Sequence, residues 1–153
     1  MPLIDLVAPN AIIPNLKVNG TKQALQELAA KAAELTGQSD RAILENLLQR
    51  EKLGSTGVGN GVAIPHGKLP KLSRVFGLFA RLDRPIDFDA LDGQQVDLVF
   101  LLLAPEGAGA DHLKALARVA RLFRDPEVAR KLRDARDAAG IYSVLSLTSA
   151  TAA

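Results

Sequence analysis

The chain has no cysteine among its 153 residues. Disulfides, thiolate nucleophiles and cysteine-ligated zinc are therefore excluded, and the usage fits a reducing compartment. There is no tryptophan, one tyrosine and five phenylalanines, a poor supply of rings for stacking nucleotide bases. An excess of one charge is lacking too: 19 basic residues stand against 17 acidic ones, a formal net charge of +2. Basic residues thicken late in the chain (Lys114, Arg118, Arg121, Arg124, Arg130, Lys131, Arg133, Arg136), but Asp125, Glu127, Asp134 and Asp137 interleave with them. That pattern reads as a solvated helix face, with a partner-docking face as the second choice, and it argues against nucleic-acid binding. Long apolar runs are also missing. The longest, residues 98–104, is far short of the roughly 18–20 residues of a membrane span. The opening MPLIDLVAPNAI has no basic n-region and no sustained apolar stretch, so it does not read as a signal peptide. A cytoplasmic protein without membrane insertion is expected. Histidine occurs only twice, at 66 and 112, too few ligands at too wide a spacing to suggest a metal.

What is present suits one soluble domain, residues 1–153, able to bury a core: 48% of residues are hydrophobic and 24% charged. Thr21 can cap a helix through about Thr36, with Ala24, Leu25, Leu28, Ala29, Ala32 and Leu35 at helical spacing and Gly37 ending it. Ser39 can cap a second helix, with Ile43, Leu44, Leu47 and Leu48 on its apolar face, stopping near Lys52. Residues 62–65 (VAIP) and 74–82 (RVFGLFARL) read as strands, and 85–95 as a turn-rich link with room for a short strand. Residues 96–104 (VDLVFLLLA) are apolar on both faces, as a central strand covered on both sides would be. Helices are expected at about 110–124, 126–136 and 139–147, and a frayed tail at 148–153. The expected fold is α/β, a three-layer α/β/α sandwich around a small mixed sheet.

Residues 54–68 read GSTGVGNGVAIPHGK, with glycine at 54, 57, 59, 61 and 67. The stretch lacks the Lys-Ser/Thr ending of a Walker loop and does not open a helix after a strand. A plain connecting turn is one reading. The other begins with Pro65, which biases Ile64 to extended geometry and fixes the approach to His66. Gly67 leaves the imidazole unscreened on that side. Ser55 and Thr56 supply hydroxyls, the glycine backbone supplies close N–H groups, and Arg50 supplies a guanidinium unless it only complements its helix C-terminus. Such a set suits an anion with several oxygens, such as phosphate. An imidazole with an ordinary pKa of roughly 6.5 is largely neutral near pH 7 and can accept a phosphoryl group and release it. His112 lies in the first turn of its expected helix beside Asp111, read as the N-cap. It is either a solvated histidine or a neutral hydrogen-bond donor to a phosphoryl group on His66. The acidic run Asp83, Asp87, Asp89, Asp92, Asp97 reads as a solvated link rather than a magnesium site.

QREKLGSTGVGNGVAIPHGK (49–68) resembles the active-site segment of the enzyme IIA components of the bacterial phosphoenolpyruvate-dependent phosphotransferase system, fructose/mannitol type. RPIDFDALDGQQVDLVFLLLAPEG (84–107) and DHLKALARVARLF (111–123) resemble the same family, and the likeness runs from about residue 3 to 147. The wording GSTGVGNG is most similar to the nitrogen-regulatory branch, a stand-alone regulator with no attached HPr, IIB or IIC-like segment. The resemblance implies an α/β/α sandwich and no cofactor. It implies that His66 is the phosphorylated histidine, His112 the second active-site histidine and Arg50 the active-site arginine, with Ser55 and Thr56 in a phosphate-binding loop. The implied partners are an HPr-like phosphocarrier and regulatory target proteins. The alternative is a IIA component that passes phosphate to a sugar-specific IIB. Outside the resemblance, a hydrolase using both histidines and a non-catalytic binding module remain as readings; stable phosphohistidine without small-molecule turnover separates the first, and tolerance of a His66 substitution the second.

Overall fold

The structure, a computed structural model, describes residues 5–151. Its centre is the strand the composition singled out. β1 (Ile12–Leu16), β2 (Gly57–Gly59), β3 (Val62–Ala63), β4 (His66–Leu69), β5 (Phe76–Ile86) and β6 (Val96–Pro105) form one mixed sheet. Every residue of β6 from 98 to 104 is buried, because both of its faces are covered. β5 pairs antiparallel with β6 on one side, and β1 adds parallel to β5. On the other side β3 and β4 lie in line along β6, both parallel to it. Val62 sits opposite Leu98 and His66 opposite Leu102, so the register is unbroken between them. Pro65 accounts for the division into two strands. It has no N–H to give, but its carbonyl accepts the Leu102 N–H at 2.9 Å.

The glycine-rich stretch builds a hairpin. β2 returns antiparallel on β3, with Gly59 opposite Val62. The two residues between them, Asn60 (φ 58°) and Gly61 (φ 80°), both lie in the left-handed region. A two-residue turn whose backbone matches strand twist requires this, and Asn-Gly is its preferred sequence. Asp92 accepts the Asn60 N–H at 3.1 Å, and Arg133 donates to the Asn60 carbonyl at 3.0 Å while pairing with Asp97 at 2.8 Å. Two members of the acidic run are thus structural partners of the turn.

Five helices complete the fold: α1 (Thr21–Thr36), α2 (Asp40–Leu53), α3 (Ala110–Phe123), α4 (Pro126–Asp134) and α5 (Ala138–Thr151). Successive strand side chains point to opposite faces, and β4 shows which helix lies where. His66 meets His112 of α3 on one face, while the next position, Gly67, abuts Asn46 of α2 on the other. Phe79 of β5 and Phe100 of β6 share the α3 face, each with its ring 6.1 Å from that of Phe123. With α1 packed on α2, and α4 and α5 following α3, the architecture is a three-layer α/β/α sandwich.

Several local expectations change. Ser39 does cap α2, accepting the Ala42 N–H at 3.2 Å. Thr21 does not cap α1: the N-cap is Gly20, and the Thr21 hydroxyl donates instead to the Asp87 carbonyl. Asp111 is likewise inside the first turn of α3, whose N-cap is Gly109. β5 runs on through Ile86, past the end expected at 82, because the antiparallel pairing resumes at Ile86 opposite Val96. β1, β2 and β4 are strands that the sequence pattern did not announce. α5 continues to Thr151, past the expected end at 147; the last two residues of the expected frayed tail lie outside the described residues.

Candidate active site

Three elements converge on one imidazole. β4 carries His66, the last turn of α2 carries Arg50, and the first turn of α3 carries His112. The Arg50 Nε–H donates to His66 Nε2 at 3.2 Å, and the two imidazole centroids are 5.9 Å apart at 60°. A cleft of about 310 Å³ opens over them, lined also by Asn46, Gln49, Leu53, Gly67 and Lys68.

The hydrogen bonds of His66 determine its tautomer. Nδ1 lies 2.8 Å from the Ile64 carbonyl oxygen. A carbonyl can only accept, so Nδ1 carries the proton. At Nε2 the partner is a guanidinium N–H, which can only donate. Both contacts therefore require the neutral ring to hold its lone pair on Nε2, the nitrogen facing Arg50. The same Arg50 side chain also donates Nη1–H to the Gly54 carbonyl at 2.9 Å. Complementing the helix C-terminus and contacting His66 are two jobs of one guanidinium, not alternatives.

Both rings are shifted toward the neutral form. Burial pushes the His66 pKa below its ordinary value and Arg50 pushes the same way; the Ile64 hydrogen bond and the Glu51 carboxylate work against them. His112 is only 5% exposed. Burial lowers its pKa first, followed by the charges of His66 and Lys68. An uncharged, lone-pair-bearing imidazole beside a fixed cation is chemically a nucleophile facing a seat for an anion.

A sequence model of one family, the phosphoenolpyruvate-dependent sugar phosphotransferase system EIIA 2, matches residues 5–147. The chain belongs to this family. It is 77% identical, over the full length of both chains, to a nitrogen regulatory protein of Bradyrhizobium diazoefficiens. Among solved structures it resembles the nitrogen regulatory protein IIA-Ntr of Neisseria meningitidis, with a TM-score of 0.87 and 34% identity over 92% of this chain and 97% of that one. It shares its fold with the IIA mannitol protein of Escherichia coli, at a TM-score of 0.76 and 18% identity over 90% of this chain and 97% of the other.

Of the residues expected in an EIIA site, His66, His112 and Arg50 come together in the cleft. Ser55 and Thr56 do not line it. The Ser55 hydroxyl donates to the Phe88 carbonyl and accepts the Gly57 N–H at 3.0 Å. The Thr56 hydroxyl donates to the Glu51 carboxylate, and the residue is 3% exposed. Gly67 lines the cleft beside the imidazole and also makes room for α2. A Cβ there would run into the Asn46 side chain, which bonds the Lys68 carbonyl at 2.8 Å. Asn46, Gln49 and Leu53 were missed, although a signal existed: they stand at −4, −1 and +3 from Arg50, on the same side of an α-helix.

The other charged features settle elsewhere. Among the described residues no group of three or more His, Cys, Asp or Glu could hold a metal ion, and no helix is long and apolar enough to cross a membrane. On α3, Lys114, Arg118 and Arg121 line a separate hollow with Asp111.

Proposed function

We propose that this chain is a phosphoryl-relay regulator: an HPr-like phosphocarrier phosphorylates it on His66, and cytoplasmic target proteins read its phosphorylation state. The observation that carries this reading is the lone pair of His66 Nε2 directed at Arg50 while Nδ1–H is tied to the Ile64 carbonyl. In the transfer, the Nε2 lone pair attacks phosphorus. The bond from phosphorus to the carrier's imidazole nitrogen breaks, and its electron pair stays with the carrier. The proton on Nδ1 remains in place, held by Ile64. The Arg50 N–H groups then face phosphoryl oxygens instead of a lone pair, and His112 stands within reach to donate a further hydrogen bond. Phosphoryl transfer depends mainly on positioning and charge stabilisation, which this set supplies without a metal. High identity to a nitrogen regulatory protein favours a regulator over a component feeding a sugar-specific IIB.

The test is incubation with phosphoenolpyruvate, enzyme I and the carrier. Acid-labile phosphate is expected on His66 and absent from His66→Ala. Phosphate on His112, or phosphate that persists in His66→Ala, overturns the assignment.

A further inference from the structure

Behind the nucleophile runs a closed path of hydrogen bonds that returns to the helix where it began. The Glu51 carboxylate accepts from Thr56 twice, from its hydroxyl and from its backbone N–H at 3.3 Å. The Thr56 carbonyl accepts the Ile64 N–H at 2.9 Å. The Ile64 carbonyl accepts the His66 Nδ1–H at 2.8 Å, and His66 Nε2 accepts from Arg50 at 3.2 Å. Arg50 is the neighbour of Glu51 on α2, and its Nη1–H closes onto the Gly54 carbonyl at 2.9 Å.

We infer that Glu51 and Thr56 are positioning residues for phosphoryl acceptance: their buried link holds the Ile64 peptide so that its carbonyl keeps the proton of His66 on Nδ1. The inference rests on His66 being the acceptor and adds two residues that touch neither phosphate nor the cleft. The segment between Thr56 and Ile64 contains the glycine hairpin, whose far strand is held by β6 and by the buried Val62 and Ala63, and whose near strand follows directly on Thr56. Thr56 is the point where that segment is pinned to α2. The chain of dipoles is also oriented consistently. Each group along the path donates in the direction of Glu51, and each residue fixes the position of the next. This matters most after transfer. With phosphorus bonded to Nε2 and the proton still on Nδ1, the ring gains positive character, and the Ile64 carbonyl and Glu51 face it from the far side. The charged and titratable groups around the ring are then Arg50 and Glu51 from α2, Lys68 from β4 and His112 from α3. Apart from the phosphoryl oxygens, which Arg50 faces, Glu51 is the one anion among these groups.

The experiment compares full-length wild type with Glu51→Gln, Thr56→Val and Thr56→Ser. The first reading is the imidazole 15N spectrum of unphosphorylated protein, which distinguishes the two neutral tautomers. Wild type is expected almost wholly as the Nδ1–H form. Glu51→Gln and Thr56→Val should both gain the Nε2–H form, and Thr56→Ser, which keeps the hydroxyl donor, should return to wild type. The midpoint of His66 titration should move down in Glu51→Gln, because an anion that favours the charged ring is lost. The second reading is the rate of phosphorylation by the carrier, expected to slow by on the order of tenfold in the first two variants, as for other partners that orient a working imidazole. Wild-type spectra and rates in both Glu51→Gln and Thr56→Val overturn the inference. So does a slower rate with an unchanged tautomer and titration, which would mean a merely structural role. The spectra do not depend on phosphate. Absence of phosphorylation in wild type therefore counts against the relay function, while a tautomer shift still supports the positioning link.

Discussion

His66 Nδ1 lies 2.8 Å from the carbonyl oxygen of Ile64, two residues earlier on the same run of strand. The extended backbone before Pro65 sets that carbonyl, and the carbonyl in turn sets which nitrogen is free. A local conformational preference of one proline thus reaches the chemistry of the ring through a hydrogen bond that only one tautomer can make.

The pH dependence follows from the two lowered histidine pKa values. An ordinary imidazole would be about three-quarters protonated at pH 6. His66 is depressed by burial and by Arg50, so more of it remains neutral there. Between pH 7.5 and pH 6 phosphorylation should fall less than the titration of an ordinary imidazole would make it fall, once the pH response of the carrier is subtracted. The same lowered values make stability fall on acidification. The unfolded chain takes up protons near pH 6.5 while the folded chain resists until lower pH, so acidification favours unfolding. The histidine contribution is absent above about pH 7 and becomes destabilising as pH falls through roughly 6.5 toward the lowered folded values. Denaturant melts at pH 7.5, 6.5 and 5.5 check this. A midpoint that rises on acidification would contradict it, with carboxylate effects controlled by His66→Ala and His112→Ala.

Arg50 offers a sharper separation of roles. Its Nε–H faces His66 and its Nη1–H holds the Gly54 carbonyl. Loss of a charge-assisted hydrogen bond costs on the order of 1.5–3 kcal/mol, so Arg50→Ala should slow transfer by roughly ten- to a hundredfold or more. Arg50→Lys keeps the charge but loses the planar fork that serves two directions at once. It should recover part of the rate and fall short of wild type. Stopped-flow transfer from the phosphorylated carrier, alongside thermal melts, distinguishes this from unfolding. A lysine variant equal to wild type would mean that charge alone matters.

How far the sequence reached can be seen in particular residues. The central strand was legible because residues 98–104 are apolar on both faces, a pattern only a doubly covered strand needs. Ser39 was legible because capping is local chemistry. Thr21 and Asp111 were assigned as caps by the same rule and are not: the rule names residue types that suit a cap but does not say which residue starts the helix. β2 and β4 were invisible since GVG and HGKL have no alternation to show and are strands through their pairing with β3 and β6. In the site, His66, His112 and Arg50 were legible chiefly through resemblance. Nothing in their spacing puts residues 50, 66 and 112 together. In the glycine loop, the Ser55 and Thr56 hydroxyls bond Phe88 and Glu51, and the Thr56 and Asn60 N–H groups bond Glu51 and Asp92, so these groups face the protein rather than the cleft.

Gly61 tests that reassignment. Its φ of 80° is a conformation that side chains resist, at a cost of about 1–2 kcal/mol. A Cβ would also crowd the Arg133 guanidinium that pairs with Asp97. Gly61→Ala should lower the melting temperature by roughly 2–8 °C for a chain of this size, and leave the rate of His66 phosphorylation within about twofold of wild type at a temperature where both are folded. A stable variant with slow transfer would return the loop to a direct role at the phosphate.

His112 separates support from chemistry. Its Nδ1 is buried and has no hydrogen-bond partner. With the proton of the neutral ring on Nε2, the buried Nδ1 is an acceptor rather than an orphaned donor, and Nε2–H is the ring's donor. The lowered pKa keeps the ring uncharged, so it can donate one hydrogen bond to a phosphoryl oxygen without adding a second cation beside Arg50. It has no tethered Nδ1–H of the kind that prepares His66 to attack, so it should not take up phosphate itself. His112→Ala removes the donor. It should still be phosphorylated on His66, but more slowly, by roughly tenfold for one hydrogen bond to a charged group, and its phosphohistidine should have a different lifetime. His112→Gln retains an N–H at similar reach and should fall between Ala and wild type. Transfer kinetics and phosphate half-lives give the order, with circular dichroism to confirm that both variants are folded. If Ala and Gln both match wild type in rate and lifetime, the 5.9 Å approach of the two rings is packing and no more.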